Sequence, residues 1–256
     1  MTEFNREFIE QFPQGLQPEL LQFASFVNEL QQRVEEAPQL QWSPPTEIRE
    51  QFDYFVELAW QANAAKGTAL CSGIVQALND NNLLSFAVLM RAFFEQVLLM
   101  RQYWTESWLP VITKCASTGQ VYPSDLQELN AKLHRSIRRS KVDWESLFRG
   151  DFDSINAKDQ MDDVSLLKAA KSWTATGEKI GMLAPAALYC VLCDFAHPNF
   201  GSALLCLSNE DLRFGTATQP STGLRAFGIL FPSLVSLTME LQKSLGQLLK
   251  AKFTPA

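Results

Sequence analysis

The segment LLSFAVLMRAFFEQVLLM, residues 83–100, carries the strongest helical pattern in this chain. It is apolar on almost every side of the helix, which is typical of a helix at the centre of a bundle rather than on its surface. The pattern continues to about residue 104. We therefore predict a central apolar helix over about residues 83–104.

Helical periodicity extends outward from this segment in both directions. Toward the N-terminus, Phe4, Phe8 and Phe12 recur at every fourth residue, and from about 222 to 250 apolar residues recur at alternating three- and four-residue steps. A strand would require apolar and polar residues to alternate over several positions, and in this sequence such alternation never lasts more than a few residues. The sequence therefore predicts an all-α fold, a multi-helix bundle with no significant sheet. We expect a single domain over residues 1–256, with residues 1–45 as a helical extension packed on the main bundle.

The composition is that of an ordinary globular protein. The 256 residues are 46% hydrophobic and 20% charged, which excludes wholesale disorder. The chain has 22 basic and 28 acidic residues, and the net charge of −6 makes it a poor general binder of polyanions. The uncharged apolar runs 180–193 and 226–239 are shorter than the roughly 18 residues that span a bilayer, so no membrane partner is predicted. The N-terminal residues lack a secretory pattern, and the five cysteines favour reduced thiols, so we predict a cytoplasmic location.

Arg91 and Glu95 are the only formal charges between residues 83 and 100. Four residues apart, they share a helix face with Leu84, Val88 and Leu98. An isolated buried charge costs several kcal/mol, so each needs a partner. Arg precedes Glu here, which is the less favourable order for an ion pair within a helix. An ordinary ion pair on the helix surface is therefore a poor explanation for these two charges. Two interpretations stay open: a buried ion pair that fixes how the helices dock, or a polar site inside the bundle.

The segment YCVLCDFAHPNFG, residues 189–201, is the second unusual stretch. On a helix, Tyr189, Cys193 and His197 share a face, and Asp194 lies one turn before His197, where it can orient the imidazole. His197 either caps the carbonyl groups of its own helix or belongs to a polar site. The catalytic candidates are thus Arg91, Glu95 and His197, and the binding candidates here are Tyr189, Asp194 and, in the turn that follows, Asn199.

A metal site is a weaker interpretation of the same segment. Cys190, Cys193 and His197 are ligand types that zinc accepts, and Cys206 is available as a fourth. Zinc knuckles, however, hold their Cys-x2-Cys pair on a tight turn, whereas this pair lies in an apolar helical run, where buried cysteines act as small hydrophobes. A Cys/His nucleophile pair has suitable residue types but no local signature. We predict no metal and no cofactor.

The basic string KLHRSIRRSK, residues 132–141, is the third unusual stretch. Lys132, Arg135 and Arg139 line one side of a predicted helix, where they are binding candidates for a phosphate backbone, so RNA is a candidate partner. Two alternatives stay open. The acidic loop that follows can lie against the string, or the string is simply solvated, because the surrounding chain is acidic.

Two landmarks of this sequence resemble those of a broad group of bacterial helical proteins. They are Arg91-x3-Glu95 in an apolar helix and, later in the chain, Tyr189-x3-Cys193-Asp194-x2-His197-Pro198. The layout of that group is similar to the HEPN superfamily, small helical bundles that often dimerise and include RNases of toxin and defence systems. The resemblance covers mainly residues 83–104 and 180–201. It implies that Arg91, Glu95 and His197 meet in space.

The chain departs from active HEPN RNases at one point. Those enzymes carry an Arg-polar-x3-to-5-His motif on one helix, in which His and Arg handle the proton and the phosphate. Neither His134 nor His197 has an arginine four to six residues before it. If this chain cleaves RNA, Arg91 would have to supply the missing arginine from another helix.

Two functional hypotheses follow. Phosphate-binding, dinucleotide-binding, zinc-protease and serine-hydrolase motifs are missing from the sequence. The leading hypothesis is a non-catalytic cytoplasmic binding or interaction module with a buried cluster of Arg91, Glu95, Asp194 and His197. The alternative is a HEPN-like, metal-independent RNase or nucleotide-binding defence protein, with His197 as acid/base and Arg91 stabilising phosphate charge. A homodimer stays open under either hypothesis.

Overall fold

A computed structural model describes residues 2–41, 43–103, 108–125, 127, 149, 165–196 and 220–252 of the chain. Over these ranges the regular secondary structure is helical, apart from one isolated bridge between Ile180 and Leu183. The predicted all-α bundle with no significant sheet is thereby confirmed. The principal helices are α1 (Arg6–Glu10), α2 (Gln17–Glu35), α3 (Ile48–Asn79), α4 (Leu83–Tyr103), α5 (Leu109–Thr118), α6 (Leu166–Ala175), α7 (Pro185–Ala196) and α8 (Pro220–Lys250).

Helix α4 lies at the centre of the bundle, in contact with α3, α6, α7 and α8. Its side chains Phe86 and Phe94 are fully buried. Phe86 meets Phe227 of α8 edge to face with ring centroids 5.1 Å apart, and Phe94 stacks on Trp173 of α6 at 6.3 Å. The predicted central apolar helix is therefore confirmed.

A tight turn makes α3 and α4 neighbours. Asn81 has a left-handed φ of 49°, and the N–H groups of Asn81 and Asn82 donate to the carbonyl groups of Leu78 and Ala77. This is the Schellman arrangement that closes a helix. Asn82 also begins the next helix, because its Oδ1 accepts a hydrogen bond of 3.0 Å from the Ser85 N–H. The polar residues of this turn thus end α3 and cap α4.

The N-terminal helices pack on the bundle through phenylalanines. Phe4, Phe8 and Phe12 are buried, and Phe8 meets Phe227 of α8 edge to face at 6.1 Å. The Asn28 side chain of α2 holds the N-terminal segment in place, since it accepts a hydrogen bond from the Thr2 N–H and donates one to the Thr2 carbonyl. Apolar packing and backbone hydrogen bonds thus both tie the N-terminal segment to the rest.

The turn between α6 and α7 docks on α8. Gly181 has a left-handed φ of 60°, and a Cβ atom at this position would lie 2.6 Å from the Ser233 backbone nitrogen. Its N–H donates to the Ser236 hydroxyl at 3.0 Å, while the Ser233 hydroxyl donates to the Ile180 carbonyl at 2.8 Å. Only glycine fits this contact, which fixes α6 and α7 against α8.

One helix in the described ranges, Leu83–Gln102, is long and apolar enough to cross a membrane by length and composition alone. More than half of that window, 56%, is buried inside the bundle. The core helix of a folded domain passes the same test of length and hydropathy.

Candidate functional site

The central helix leaves one stripe open to solvent. Leu84 and Val88 expose 46% and 43% of their surface, although nearly all other apolar side chains of α4 are buried or partly buried. One turn further along the same face, the side chains of Arg91 and Glu95 expose 23% and 26%. Leu98, which the sequence placed on this face, is buried. The charges therefore lie at the edge of the core, where solvent reaches them.

Arg91 and Glu95 bind each other. The Nε of Arg91 donates to Oε1 of Glu95 at 2.9 Å within α4. The Arg-before-Glu order, which counted against an intrahelical pair in the sequence, does not prevent it. The orientation preference is worth only a few tenths of a kcal/mol, whereas a largely buried charge without a partner costs several.

Helix α7 places Tyr189 and Cys193 beside this pair. Tyr189 lies near Phe94 of α4 with ring centroids 6.2 Å apart, and both Tyr189 and Cys193 are partly buried. Arg91 and Glu95 are close enough to Tyr189 to act on its pKa in opposite directions. We refer to Arg91, Glu95, Tyr189 and Cys193 as the α4–α7 cluster.

The surroundings of Tyr189 and Arg91 favour the protonated forms of these two side chains. Burial raises the pKa of Tyr189, and its hydrogen bond to Cys193 and the nearby Glu95 carboxylate raise it further, although Arg91 opposes them. Burial lowers the pKa of Arg91, but the hydrogen bond and the charge of Glu95 outweigh burial, and the pKa is raised. At neutral pH the phenol and the guanidinium are therefore hydrogen-bond donors rather than proton acceptors.

The structure brings three predicted site residues together, namely Arg91, Glu95 and Tyr189. Asp194 lies on the exposed side of α7. The remaining candidates fall outside the described residues, and their roles stay predictions. They are His197, Asn199 and the basic residues Lys132, Arg135 and Arg139.

The two cysteines of α7 are free thiols, Cys190 exposed and Cys193 partly buried. In the part of the chain that the structure describes, no three His, Cys, Asp or Glu residues are grouped so that they could hold a metal ion. His197 and Cys206, the other ligands of the zinc interpretation, lie outside that part.

A second polar network, which we did not predict from the sequence, is centred on Arg101 at the end of α4. Its Nη1 donates to Glu240 of α8 and its Nη2 to Glu178, each at 3.0 Å. The guanidinium also stacks on Trp173 of α6, 4.7 Å from the ring centroid, and the Trp173 Nε1 donates to Glu178 at 2.8 Å. Because Arg101 contacts Trp173 of α6, Glu178 of the α6–α7 turn and Glu240 of α8, this network ties these elements to α4.

One signal for that network was available in the sequence. Arg101 is the one basic residue in the last turn of α4, an apolar helix otherwise charged only at Arg91 and Glu95. The hydrogen bond from Trp173 lowers the pKa of Glu178, as do the charge and the hydrogen bond of Arg101, against the opposing effect of burial.

Comparison of the chain with protein families, with curated protein sequences and with solved structures finds no match. The resemblance to the HEPN layout therefore stays a prediction. What the fold and the site define is a class of architecture: an all-α bundle whose central helix carries a partly exposed, donor-rich polar cluster next to exposed apolar side chains.

Proposed function

We propose that this protein is a non-catalytic cytoplasmic binding or interaction module, and that the α4–α7 cluster with Leu84 and Val88 is its binding surface. One observation carries the proposal. On one face of α4, the partly exposed ion pair of Arg91 and Glu95 stands beside the exposed side chains of Leu84 and Val88. The Arg91 guanidinium and the Tyr189 phenol, whose pKa values are both raised, can donate hydrogen bonds there to a partner, but they are poorly suited to take a proton from a substrate.

The surroundings of the cluster support a macromolecular partner. Leu84 and Val88 are among the exposed large hydrophobic residues and lie two turns and one turn, respectively, before Arg91 on the same face. An apolar patch rimmed by hydrogen-bond donors is the composition that interaction surfaces share. The four described cysteines are free thiols, which supports a reducing compartment such as the cytoplasm.

A photo-crosslinking amino acid at Val88 tests this surface in cells. We expect a discrete adduct at Val88 and none at Leu21, an exposed apolar residue of α2 that serves as the matched control. The captured partner is identified by mass spectrometry, purified, and titrated against the chain. The absence of an adduct specific to Val88 would contradict the proposal.

The double variant R91E/E95R then separates binding from stability. It retains the ion pair and places Glu before Arg, the more favourable order, so the melting temperature is expected to be unchanged. The reversed charges are expected to weaken partner binding by about tenfold or more. Unchanged affinity would show that the cluster is only structural.

Incubation with RNA tests the alternative that the HEPN resemblance implies. In that alternative His197 is the acid/base, Arg91 stabilises phosphate charge, and the basic string at residues 132–141 holds the RNA. We expect the purified protein to leave tRNA and total RNA intact without metal. Cleavage that is lost in Arg91→Ala or His197→Ala, at unchanged melting temperature, would overturn the non-catalytic proposal.

A further inference from the structure

A groove of about 210 Å³ lies between α2, α3 and α8, formed by residues outside the α4–α7 cluster. Its deepest side chains are the buried Leu30, Trp60 and Leu245, and Phe26 and Leu249 continue the apolar wall toward the surface. The exposed polar side chains at its mouth are Glu29, Arg33 and Gln242.

The dimensions of the groove limit what it can hold. A dry apolar cavity of about 150 Å³ is enough to bind benzene. A space of 210 Å³ thus holds one ring, or a short aliphatic chain, with a few further atoms. A helix, about 10 Å across, is too large. The occupant is therefore a small molecule with an apolar body.

The charge at the mouth indicates what the polar end of that molecule is. Arg33 is exposed, and in the described part of the chain its guanidinium has no ion pair. The neighbouring carboxylate Glu29 accepts a hydrogen bond from the Ser25 hydroxyl at 3.1 Å. A guanidinium binds a carboxylate through two parallel hydrogen bonds, a geometry that a lysine ammonium does not offer.

We propose that this groove is a binding site for a small aromatic or aliphatic carboxylate. Its apolar body packs on Trp60, Leu30 and Leu245, and its carboxylate pairs with Arg33. Glu29 weakens the site by repelling the same carboxylate. The site shares no residue with the α4–α7 cluster, so its failure and the failure of the proposed function are distinguishable.

A glycine in the wall allows a clean test. A Cβ atom added to Gly246 would meet no atom within 4 Å, and Gly246 lines the groove. A leucine here would fill the groove without disturbing the core. Gly228 is the matched control, because it is in the same helix, also has open space at its Cβ position, and does not line the groove.

Calorimetric titration with 4-phenylbutyrate, and with 4-phenylbutanol as a ligand without the acid group, tests the proposal. Wild type and Gly228→Leu are expected to bind the acid about tenfold more tightly than the alcohol, and Gly246→Leu is expected to bind neither. Arg33→Gln should reduce acid binding to the level of the alcohol, and Glu29→Gln should strengthen it severalfold.

Three results would overturn the proposal: no binding of the acid by wild type, equal binding of acid and alcohol, or equal binding by Gly246→Leu and Gly228→Leu. Melting temperatures of all four variants are recorded alongside. Each changed side chain lies at the surface or in open space, so all variants are expected to remain folded.

Discussion

Arg91 and Glu95 are each largely withdrawn from solvent, and at this degree of burial a charge still needs its partner. Arg91→Ala leaves Glu95 unpaired and is expected to lower the free energy of unfolding by about 1–2 kcal/mol, between the values typical of exposed and of fully buried pairs. The variant R91A/E95A removes both charges. It should lower the free energy of unfolding by less than the sum of the losses in Arg91→Ala and Glu95→Ala. Urea denaturation of the four proteins of this cycle measures the coupling. Strictly additive losses would show that the pair contributes no stability.

The Arg101 network makes stability depend on acid pH. The pKa of Glu178 lies below its ordinary value of 4.5 in the folded chain, chiefly through the hydrogen bond from Trp173. A depressed folded-state pKa gives stability that is present above the unfolded-state value and is lost as the pH falls through the folded one. Between about pH 5 and about pH 3, wild type is therefore expected to lose stability more steeply than Glu178→Gln.

Urea midpoints recorded across that interval measure the difference. Glu7→Gln is a suitable control, because Glu7 is an exposed carboxylate of the short first helix and lies outside the Arg101 network. Parallel profiles for wild type and Glu178→Gln would contradict a role for Glu178 in acid unfolding.

At the scale of the elements, the α6–α7 turn can dock on α8 only because Gly181 has no side chain. Gly181→Ala both strains a left-handed backbone and forces a Cβ atom against the Ser233 backbone, so we expect a loss of about 2–3 kcal/mol. Gly177→Ala is the matched control: Gly177 has a φ of 79°, but its Cβ position is open. It should cost only the left-handed strain, about 1 kcal/mol. Equal losses in urea denaturation would show that close packing at Gly181 contributes nothing.

The elements also show which features the sequence could predict. The central helix was predictable because an almost wholly apolar segment of that length has to be buried, and the α3–α4 turn was predictable because Asn-rich strings both end and cap helices. The exposed stripe at Leu84 and Val88 was not predictable. The sequence of a helix that is apolar on all sides does not indicate which side the neighbouring helices leave exposed. That choice is made by tertiary packing.

The same limit applies to the candidate site. The resemblance implied that the two motifs meet, through Arg91, Glu95 and His197, whereas the described residue of the second motif beside the ion pair is Tyr189. For Arg101 no motif was available, because its partners are 77 and 139 residues away. With many acidic residues competing for one arginine, only the packing of α8 and of the α6–α7 turn against α4 selects Glu240 and Glu178. Long-range pairing of this kind has no local signature.

At the scale of the whole molecule, we predict a single domain, and such a chain unfolds as one cooperative unit that includes its N-terminal helices. Phe8 lies in α1 but packs against Phe227 of α8, so it couples the first residues to the last helix. Phe8→Ala is expected to lower the free energy of unfolding by about 3–4 kcal/mol through the cavity that it leaves. None of the six tryptophans lies in α1 or α2, and five of the six lie beyond residue 45.

Tryptophan fluorescence therefore reports on the bundle rather than on the N-terminal helices themselves. In a single domain, Phe8→Ala shifts the whole fluorescence transition to lower urea concentration and leaves the transition coincident with the one seen by circular dichroism. Leu21→Ala, at an exposed position of α2, should leave the midpoint unchanged. A separate early transition in circular dichroism, with the fluorescence midpoint unmoved, would mean that residues 1–45 fold independently, and the coupling between Phe8 and α8 would then not hold the two parts together.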